Sequence, residues 1–215
     1  MGRCMLNRAQ IFALAAIFAI PFFFSIPYGT NLNSPGALVR LISPAVTAVS
    51  VALWVFNFGL WRFLPRSLAP KPDLNGTWKV EIKPFSSNPG PPRPPIVGFM
   101  FVTQTYANLS MRLETEDTWS ELEAEQITIS KAGHYQLWAV YHCRGHIPGR
   151  TPDHYGAMIL NYRKTGDGVR LGGHFWIDGD LKDSAGLHLD DGLIELYAKK
   201  RKRYATFSDA SKHFT

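Results

Sequence analysis

The first third of this 215-residue sequence has almost no charged residues. Residues 9–61 carry a single charge, Arg40, and no acidic residue precedes Asp73. From residue 72 onward the sequence is rich in polar residues and typical of a globular domain. Because one folded body does not combine two such different compositions, we expect the two parts to be separate structural units.

Cysteine is also scarce, with Cys4 in the apolar part and Cys143 in the polar part. Two cysteines on different units do not make a disulfide framework, and they fit a reducing cytoplasm. Cys143 is accompanied by His142, His146 and His154, but there is no C-x-x-C pair and no H-x-x-x-H on a predicted helix. We therefore expect no bound metal.

Catalytic motifs are missing as well. The sequence has no G-x-S-x-G elbow and no glycine-rich phosphate loop that opens a helix. The acidic residues around Ser120 have the spacing of a solvated strand face. We expect a protein that is not an enzyme and that uses no cofactor.

The net charge of +6 is confined to the two ends of the chain. Residues 72–198 sum to −5, whereas residues 199–215, which begin with KKRKR, sum to +5. The basic balance therefore does not indicate a nucleic-acid-binding body, and no DNA partner is expected. We predict that residues 199–215 form a loosely ordered tail, which either contacts anionic lipid or is solvated.

Two uncharged runs, residues 9–27 and 41–61, are long enough to cross a membrane. A helix needs about 20 residues to span a hydrocarbon core of roughly 30 Å. Basic residues precede the first run and follow the second, so the positive-inside rule places the N-terminus and the polar part in the cytoplasm. We predict two transmembrane helices within residues 1–64 and a linker at residues 65–73.

Two alternatives for the apolar part stay open. A secretory signal peptide would explain Arg3 and Arg8 ahead of an apolar core, but no A-x-A-like cleavage site follows that core. A soluble helical hairpin would require a polar face, which neither run has.

Alternation of apolar and polar residues begins at Leu74 and predicts an all-β domain at residues 74–198. No helical pattern interrupts it, so we predict an eight-stranded antiparallel up-and-down β-barrel, with a sandwich as the alternative. Near residues 193–197 the alternation breaks, and a short helix or a ninth strand is expected there. The eight predicted strands are 74–83, 96–106, 108–115, 120–129, 134–143, 154–163, 169–177 and 185–190.

The order of the motifs resembles a known family. Two apolar runs precede LNGTW, VTQTYANLSMRLET, HYGAMIL, LGGHFWID and SAGLHL. This order is similar to that of the two-transmembrane, β-strand-rich effectors of bacterial CBASS anti-phage systems, from the first run to about Asp190. In that family, an eight-stranded barrel binds a cyclic oligonucleotide made by a partner nucleotidyltransferase. Binding drives self-association and disruption of the bacterial inner membrane, which is a form of abortive infection.

The resemblance implies a location in the inner membrane, with membrane lipids, a cyclic oligonucleotide and further copies of the chain as partners. Combined with the aromatic and cationic side chains of the predicted strands, it gives a candidate set of ligand-binding residues. Any single one of these aromatic residues is better explained by packing in the barrel core or on the strand surface, above all Trp78, which shares a strand face with Leu74 and Val80. The set is Trp78, Gln104, Tyr141, His154, Tyr155, Arg170 and Trp176.

Two other functions fit the same sequence. One is a membrane-tethered, lipocalin-like barrel that binds an apolar ligand, which the Gly-x-Trp of the first strand favours. The other is a barrel that anchors a protein complex and whose interior is filled by its own side chains.

Overall fold

The computed structural model describes residues 35–65, 68–85, 94–130, 133–146, 153–166, 168–178 and 191–214. The chain divides into two compact units after Lys71, which lies inside the predicted linker. The short turn Thr105–Ala107 belongs to the first unit, and all eight strands belong to the second.

The first unit contains helix α1, Pro35–Phe58, and a 3₁₀ turn at Leu60–Phe63. The uncharged run 41–61 is therefore helical through Phe58, and the helix begins earlier than predicted. The helix predicted at residues 9–27 lies outside the described residues. Among the helices that the structure describes, none combines the length and the apolar character needed to span a membrane.

Asn57 joins the end of α1 to the turn Thr105–Ala107 within the first unit. Its carbonyl oxygen accepts from the Tyr106 backbone N–H at 2.9 Å, and its side-chain Oδ1 accepts from the Ala107 N–H at 2.9 Å. The Tyr106 ring packs edge-on against Phe56, with the ring centroids 4.7 Å apart. These contacts give the first unit a small aromatic centre of its own.

The second unit is a closed barrel in which each strand pairs with the next and the last pairs with the first, always antiparallel. The predicted eight-stranded antiparallel barrel is confirmed, and the sandwich is excluded. The strands are β1 (Gly76–Pro84), β2 (Ile96–Gln104), β3 (Leu109–Glu114), β4 (Thr118–Ile129), β5 (Tyr135–Gly145), β6 (His154–Thr165), β7 (Gly168–Ile177) and β8 (Gly192–Lys200).

The eighth strand of the barrel is Gly192–Lys200, which covers residues 193–197, where the sequence left a short helix or a ninth strand open. The strand predicted at residues 185–190 lies outside the described residues. Ile194 and Leu196 face the core, whereas Leu193 is exposed on the outer wall. Because Leu193 and Ile194 are adjacent and both apolar, the sequence there lacks the alternation on which the strand predictions depended.

Inward-facing apolar side chains fill the centre of the barrel. Trp78 is fully buried there, as its strand face predicted, and buried methionines from β2, β3 and β6 pack in the same cluster. Every strand contributes at least one wholly or partly buried side chain to it. A barrel packed in this way places its accessible functional groups at the ends and on the outer wall.

We call the end of the barrel at which β1 begins the proximal end, and the opposite end the distal end. At the proximal end, the chain joins the barrel at Pro72, β1 begins at Gly76 and β8 ends at Lys200. Gly76 has a positive φ of 123°, and a Cβ there would overlap the Lys200 carbonyl oxygen. This close approach explains the glycine of Gly-x-Trp. At the distal end, β5 ends at Gly145 and β6 begins at His154.

The C-terminal tail is ordered against the barrel, contrary to its prediction. It includes helix α2, Phe207–Ser211, whose N-cap Thr206 accepts from the Asp209 N–H at 3.2 Å. The Phe207 ring packs on Phe99 of β2, and the Phe207 N–H donates to Glu114 at 2.7 Å. Phe99 faces outward and is nevertheless buried, because the tail covers it.

Candidate ligand-binding end of the barrel

Two of the predicted ligand-binding residues, Trp78 and Gln104, hold the proximal end together. The Trp78 Nε1–H donates to the Leu74 carbonyl oxygen at 2.9 Å. Gln104 Oε1 accepts from the Leu74 N–H at 2.8 Å, and its Nε2 donates to the Pro72 carbonyl oxygen at 3.1 Å. Both side chains are buried with their polar groups engaged inside the barrel. They therefore act as structural residues in this arrangement.

Three others, Tyr155, Arg170 and Trp176, lie on the outer wall, because their neighbours along each strand face the interior. Arg170 is 3.4 Å from Glu195 across β7 and β8. Tyr155 is 51% exposed, and one face of its ring is stacked on His142 with the centroids 4.5 Å apart. Trp176 is 39% exposed. Of the three, the two aromatic residues belong to the distal half of the barrel.

The remaining two, Tyr141 and His154, face the interior near the distal end. The Tyr141 ring lies against Gly156 of β6, where a Cβ would overlap it, and its hydroxyl donates to the Trp176 carbonyl oxygen at 3.2 Å. Burial raises the pKa of the Tyr141 hydroxyl, and nearby anionic groups act in the same direction. Tyr141 therefore stays protonated and keeps donating this hydrogen bond.

A row of buried polar side chains, Ser120, Cys143 and His154, crosses β4, β5 and β6 at the distal end. Cys143 pairs with Ser120 on one side and with His154 on the other. Its thiol hydrogen bonds with His154, Ser120 and Thr118. The sequence places Cys143 near His142, His146 and His154 without showing which histidine it meets. Alternation shows that Cys143 and His154 both face inward, whereas only the pairing register shows that they meet.

The hydrogen bonds of this row change the acidity of the thiol. Burial raises the pKa of Cys143, but the hydrogen bonds with His154, Ser120 and Thr118 and the charge of His154 outweigh it. The net pKa lies below the ordinary value of a cysteine, so the thiolate is favoured relative to a free thiol.

A thiolate beside an imidazole has two common chemical roles, as a nucleophile and as a metal ligand. Cys143 is only 6% exposed, which restricts attack on a large substrate. Two side chains are also fewer than the four ligands of a structural zinc site. In the part of the chain that the structure describes, no group of three or more His, Cys, Asp or Glu residues could hold a metal ion. The row is best suited to hydrogen bonding.

The outer rim of the distal end carries further rings and charges. The Arg144 guanidinium lies 5.3 Å from the Trp119 ring centroid, and the His174 ring is roughly parallel to that of Trp176 at 6.3 Å. Neither Trp119 nor His174 belongs to the sequence-based set, although alternation places both on the outer wall. The rim therefore holds more aromatic surface than the sequence-based set contained.

Carboxylates share this rim with the cations. Asp153 Oδ2 is 3.9 Å from His142 Nε2 and 4.0 Å from Arg144 Nε. Glu123 Oε1 is 3.9 Å from His142 Nδ1. An anionic ligand at the rim would have to displace Asp153 from Arg144 or gain compensating contacts elsewhere.

No protein-family model matches the chain, and no curated protein sequence matches it. The chemistry of the site therefore has to be inferred from its geometry. The distal end combines accessible ring faces, a buried hydrogen-bonding row and charges of both signs, which suits recognition of a planar, polar molecule.

Proposed function

We propose that this protein is a membrane-located effector of the CBASS type. In this proposal the distal end of the barrel binds a cyclic oligonucleotide. Binding then drives self-association of the N-terminal helices, which disrupts the bacterial inner membrane. Two uncharged runs followed by an eight-stranded barrel support it. The exposed apolar side chains of α1, which include Val51, Trp54 and Phe58, also support it, since such a surface calls for a lipid or helix neighbour.

The observation that carries the proposed ligand is the placement of Tyr155 and Trp176. The Asp178 N–H donates to the Tyr155 carbonyl oxygen at 2.8 Å, so Tyr155 and Trp176 occupy diagonal positions on adjacent strands. The Cα atoms of such positions are roughly 7–8 Å apart, about twice the 3.4 Å spacing of stacked bases. Exposed rings on Cα atoms at this separation suit the insertion of one base, and each base–ring stack contributes about 1–3 kcal/mol.

The charges at the rim set a limit on affinity. Arg144 is a cation of the distal rim on β5, the strand beside that of Tyr155, and Asp153 Oδ2 lies 4.0 Å from its Nε. Ligand phosphates would compete with Asp153 for Arg144. We therefore expect Asp153→Asn to tighten binding of an anionic nucleotide, whereas Asp209→Asn in α2 leaves binding unchanged.

A second candidate function is a barrel that anchors a protein complex. The filled interior favours it over the apolar-ligand barrel, because a lipocalin-like protein needs a cavity where this chain has buried side chains. An exposed apolar patch on the outer wall also favours it. Val140 and Trp138 of β5 are 42% and 46% exposed and lie beside Ala157 and Ile159 of β6.

Thermal unfolding and size-exclusion chromatography of the full chain in detergent test the proposal. The ligands are cyclic di-AMP, cyclic di-GMP, cyclic GMP–AMP and cyclic tri-AMP, with linear pApA as the matched control. A ligand at a hundredfold excess over its Kd raises stability by about 2.7 kcal/mol. We expect one cyclic ligand to raise both the melting temperature and the oligomer size. If every cyclic ligand leaves both unchanged, the sensor function fails and the anchoring function is preferred.

A further inference from the structure

Most of the exposed charges that the structure describes on the barrel are sorted by end. The exposed Glu125, which accepts from the Leu109 N–H, is an exception at the proximal end. Among the residues that the structure describes, the distal turns and strand ends carry seven exposed carboxylates, against the cations Lys83, Arg112 and Arg144. At the proximal end, exposed basic side chains come from β6, β7, β8 and the start of the tail. The distal carboxylates are Glu116, Asp117, Glu121, Glu123, Asp153, Asp178 and Asp191; the proximal cations are Arg163, Lys164, Arg170, Lys200, Arg201, Lys202 and Arg203.

The proximal cations are held in place by the fold. Ala198 adopts a left-handed conformation, with φ of 51°, where the register of β8 shifts against β1. The shift directs Lys199 to the Asp73 carbonyl oxygen, with an Nζ–O distance of 2.7 Å. Arg203 donates to Asn75 Oδ1 at 2.8 Å, and Lys200 Nζ donates to the His213 carbonyl oxygen. Arg201 and Lys202, between these anchors, are exposed.

Cations from the β6–β7 hairpin lie at the same level of the barrel. Lys164 pairs with Val169 and Arg163 with Arg170, at the end of β6 and the beginning of β7. Because β7 lies between β6 and β8, these residues and Lys199–Arg203 border one face of the proximal end. Two carboxylates near this face have partners of their own: Glu195 lies 3.4 Å from Arg170, and Asp73 Oδ1 accepts from the Asn75 side chain.

We infer that the proximal end of the barrel docks on the headgroups of anionic lipids. The cations are spread over an exposed face and do not converge on a buried pocket, which suits a charged surface better than a small anion. The apolar N-terminal part joins the barrel at Pro72, at this same end. An anionic surface attracts the basic end and repels the acidic end, so it also orients the barrel with its distal end toward solvent.

The lipid contact rests on the membrane location proposed above and does not depend on nucleotide binding. It is tested with the native full chain reconstituted in vesicles of phosphatidylcholine, alone or mixed with phosphatidylglycerol. A water-soluble acylating reagent labels the lysines, and mass spectrometry gives the rate at each one. Lys83, an exposed distal lysine, is the internal control.

We expect phosphatidylglycerol to slow labelling of Lys164 and Lys202 about tenfold relative to Lys83, and high salt to restore it. Labelling of Lys202 that is equally fast in both kinds of vesicle would overturn the inference. Stronger protection by single-stranded DNA than by the anionic vesicles would also overturn it, in favour of a nucleic-acid surface.

Two further measurements separate a failed lipid contact from a misfolded protein and from a failed membrane location. The double variant Arg201→Glu/Lys202→Glu should lose the protection of Lys164, whereas Lys83→Glu should keep it. Vesicle flotation at high salt reports membrane insertion alone. If the chain does not float with the vesicles at high salt, the proposed membrane location is contradicted. If Lys202 of the same chain is still protected in a salt-sensitive way, the lipid contact is supported.

Discussion

The two ends of the barrel use similar residue types for different purposes. At the proximal end, the side chains of Trp78, Asn75 and Gln104 form hydrogen bonds within the barrel and are buried. At the distal end, rings such as those of Tyr155 and Trp176 remain exposed, and carboxylates surround them. Aromatic and amide residues on the strands therefore do not identify a ligand site until their end of the barrel is known.

The difference follows from how the chain leaves each end. At the proximal end, the segment that begins at Pro72 and the basic start of the tail both cross the barrel end and form hydrogen bonds there. The polar groups of these two segments are hydrogen-bonded within the protein, and these hydrogen bonds close the proximal end. At the distal end, the described strand ends keep exposed polar groups and rings. We expect substitution of the buried polar residues at the proximal end to affect folding, and substitution of the exposed rings at the distal end to affect ligand binding.

The largest effect is expected from Trp78→Ala. It removes a fully buried indole from the barrel centre, which should lower the free energy of unfolding by about 3–5 kcal/mol. The matched control is Trp138→Ala on the outer wall, which should cost less than about 1 kcal/mol. Urea unfolding followed by far-UV circular dichroism measures both. If both variants lose the same free energy of unfolding, the buried side chains at the barrel centre do not stabilise the protein more than the outer wall does.

Gln104→Ala is expected to have the next largest effect. The substitution leaves the Leu74 N–H and the Pro72 carbonyl oxygen without this buried partner, at a cost of about 1–3 kcal/mol. Gln126→Ala, at an exposed position of β4, is the control and should be nearly neutral. The same unfolding measurement applies. If Gln104→Ala is as mild as the control, the proximal end is not closed by these hydrogen bonds.

Gly156→Ala tests the packing of Tyr141 at the distal end. The new Cβ would overlap the Tyr141 ring and separate its hydroxyl from the Trp176 carbonyl oxygen, so we expect a loss of about 1–3 kcal/mol. Tyr141→Phe removes only the hydroxyl and should cost about 0.5–1.5 kcal/mol. Gly166→Ala has open space around its Cβ and serves as the control. If Gly156→Ala leaves the free energy of unfolding unchanged, the Tyr141 ring does not pack against Gly156.

The smallest predicted effect is the contribution of Cys143 to the pH dependence of stability. Its pKa is lower in the folded protein than in the unfolded chain, so between the two values the unfolded chain binds more protons. Stability from this group is therefore present above the unfolded pKa of about 8.5 and is lost as pH falls through the folded pKa. The melting-temperature advantage of the native protein over Cys143→Ser should be larger at about pH 9 than at about pH 6.5. A difference that shrinks as pH rises would contradict the thiolate assignment.

The sequence predicted the barrel because seven strands alternate clearly and end in turn signals. It left the region of β8 open between a short helix and a ninth strand, because Leu193 adds an apolar residue to the outer wall next to Ile194. It also missed the ordered tail, since Arg203 meets Asn75 across 128 residues and no local pattern shows such a contact. The contact between Cys143 and His154 could not be predicted either, because it depends on the register of the two strands. Alternation separates inward from outward residues, but the pairing of Cys143 with His154 depends on how β5 and β6 align.

The central claim is that the two ends differ in function and that the distal end binds the ligand. Titration calorimetry of the full chain in detergent, with the cyclic oligonucleotide that stabilises it most, tests this claim directly. Tyr155→Ala/Trp176→Ala should weaken binding by at least about tenfold, because each lost stack is worth about 1–3 kcal/mol. Arg201→Gln/Lys202→Gln at the proximal end should leave the Kd unchanged. Full affinity in the distal variant, with loss of affinity in the proximal one, would contradict the account.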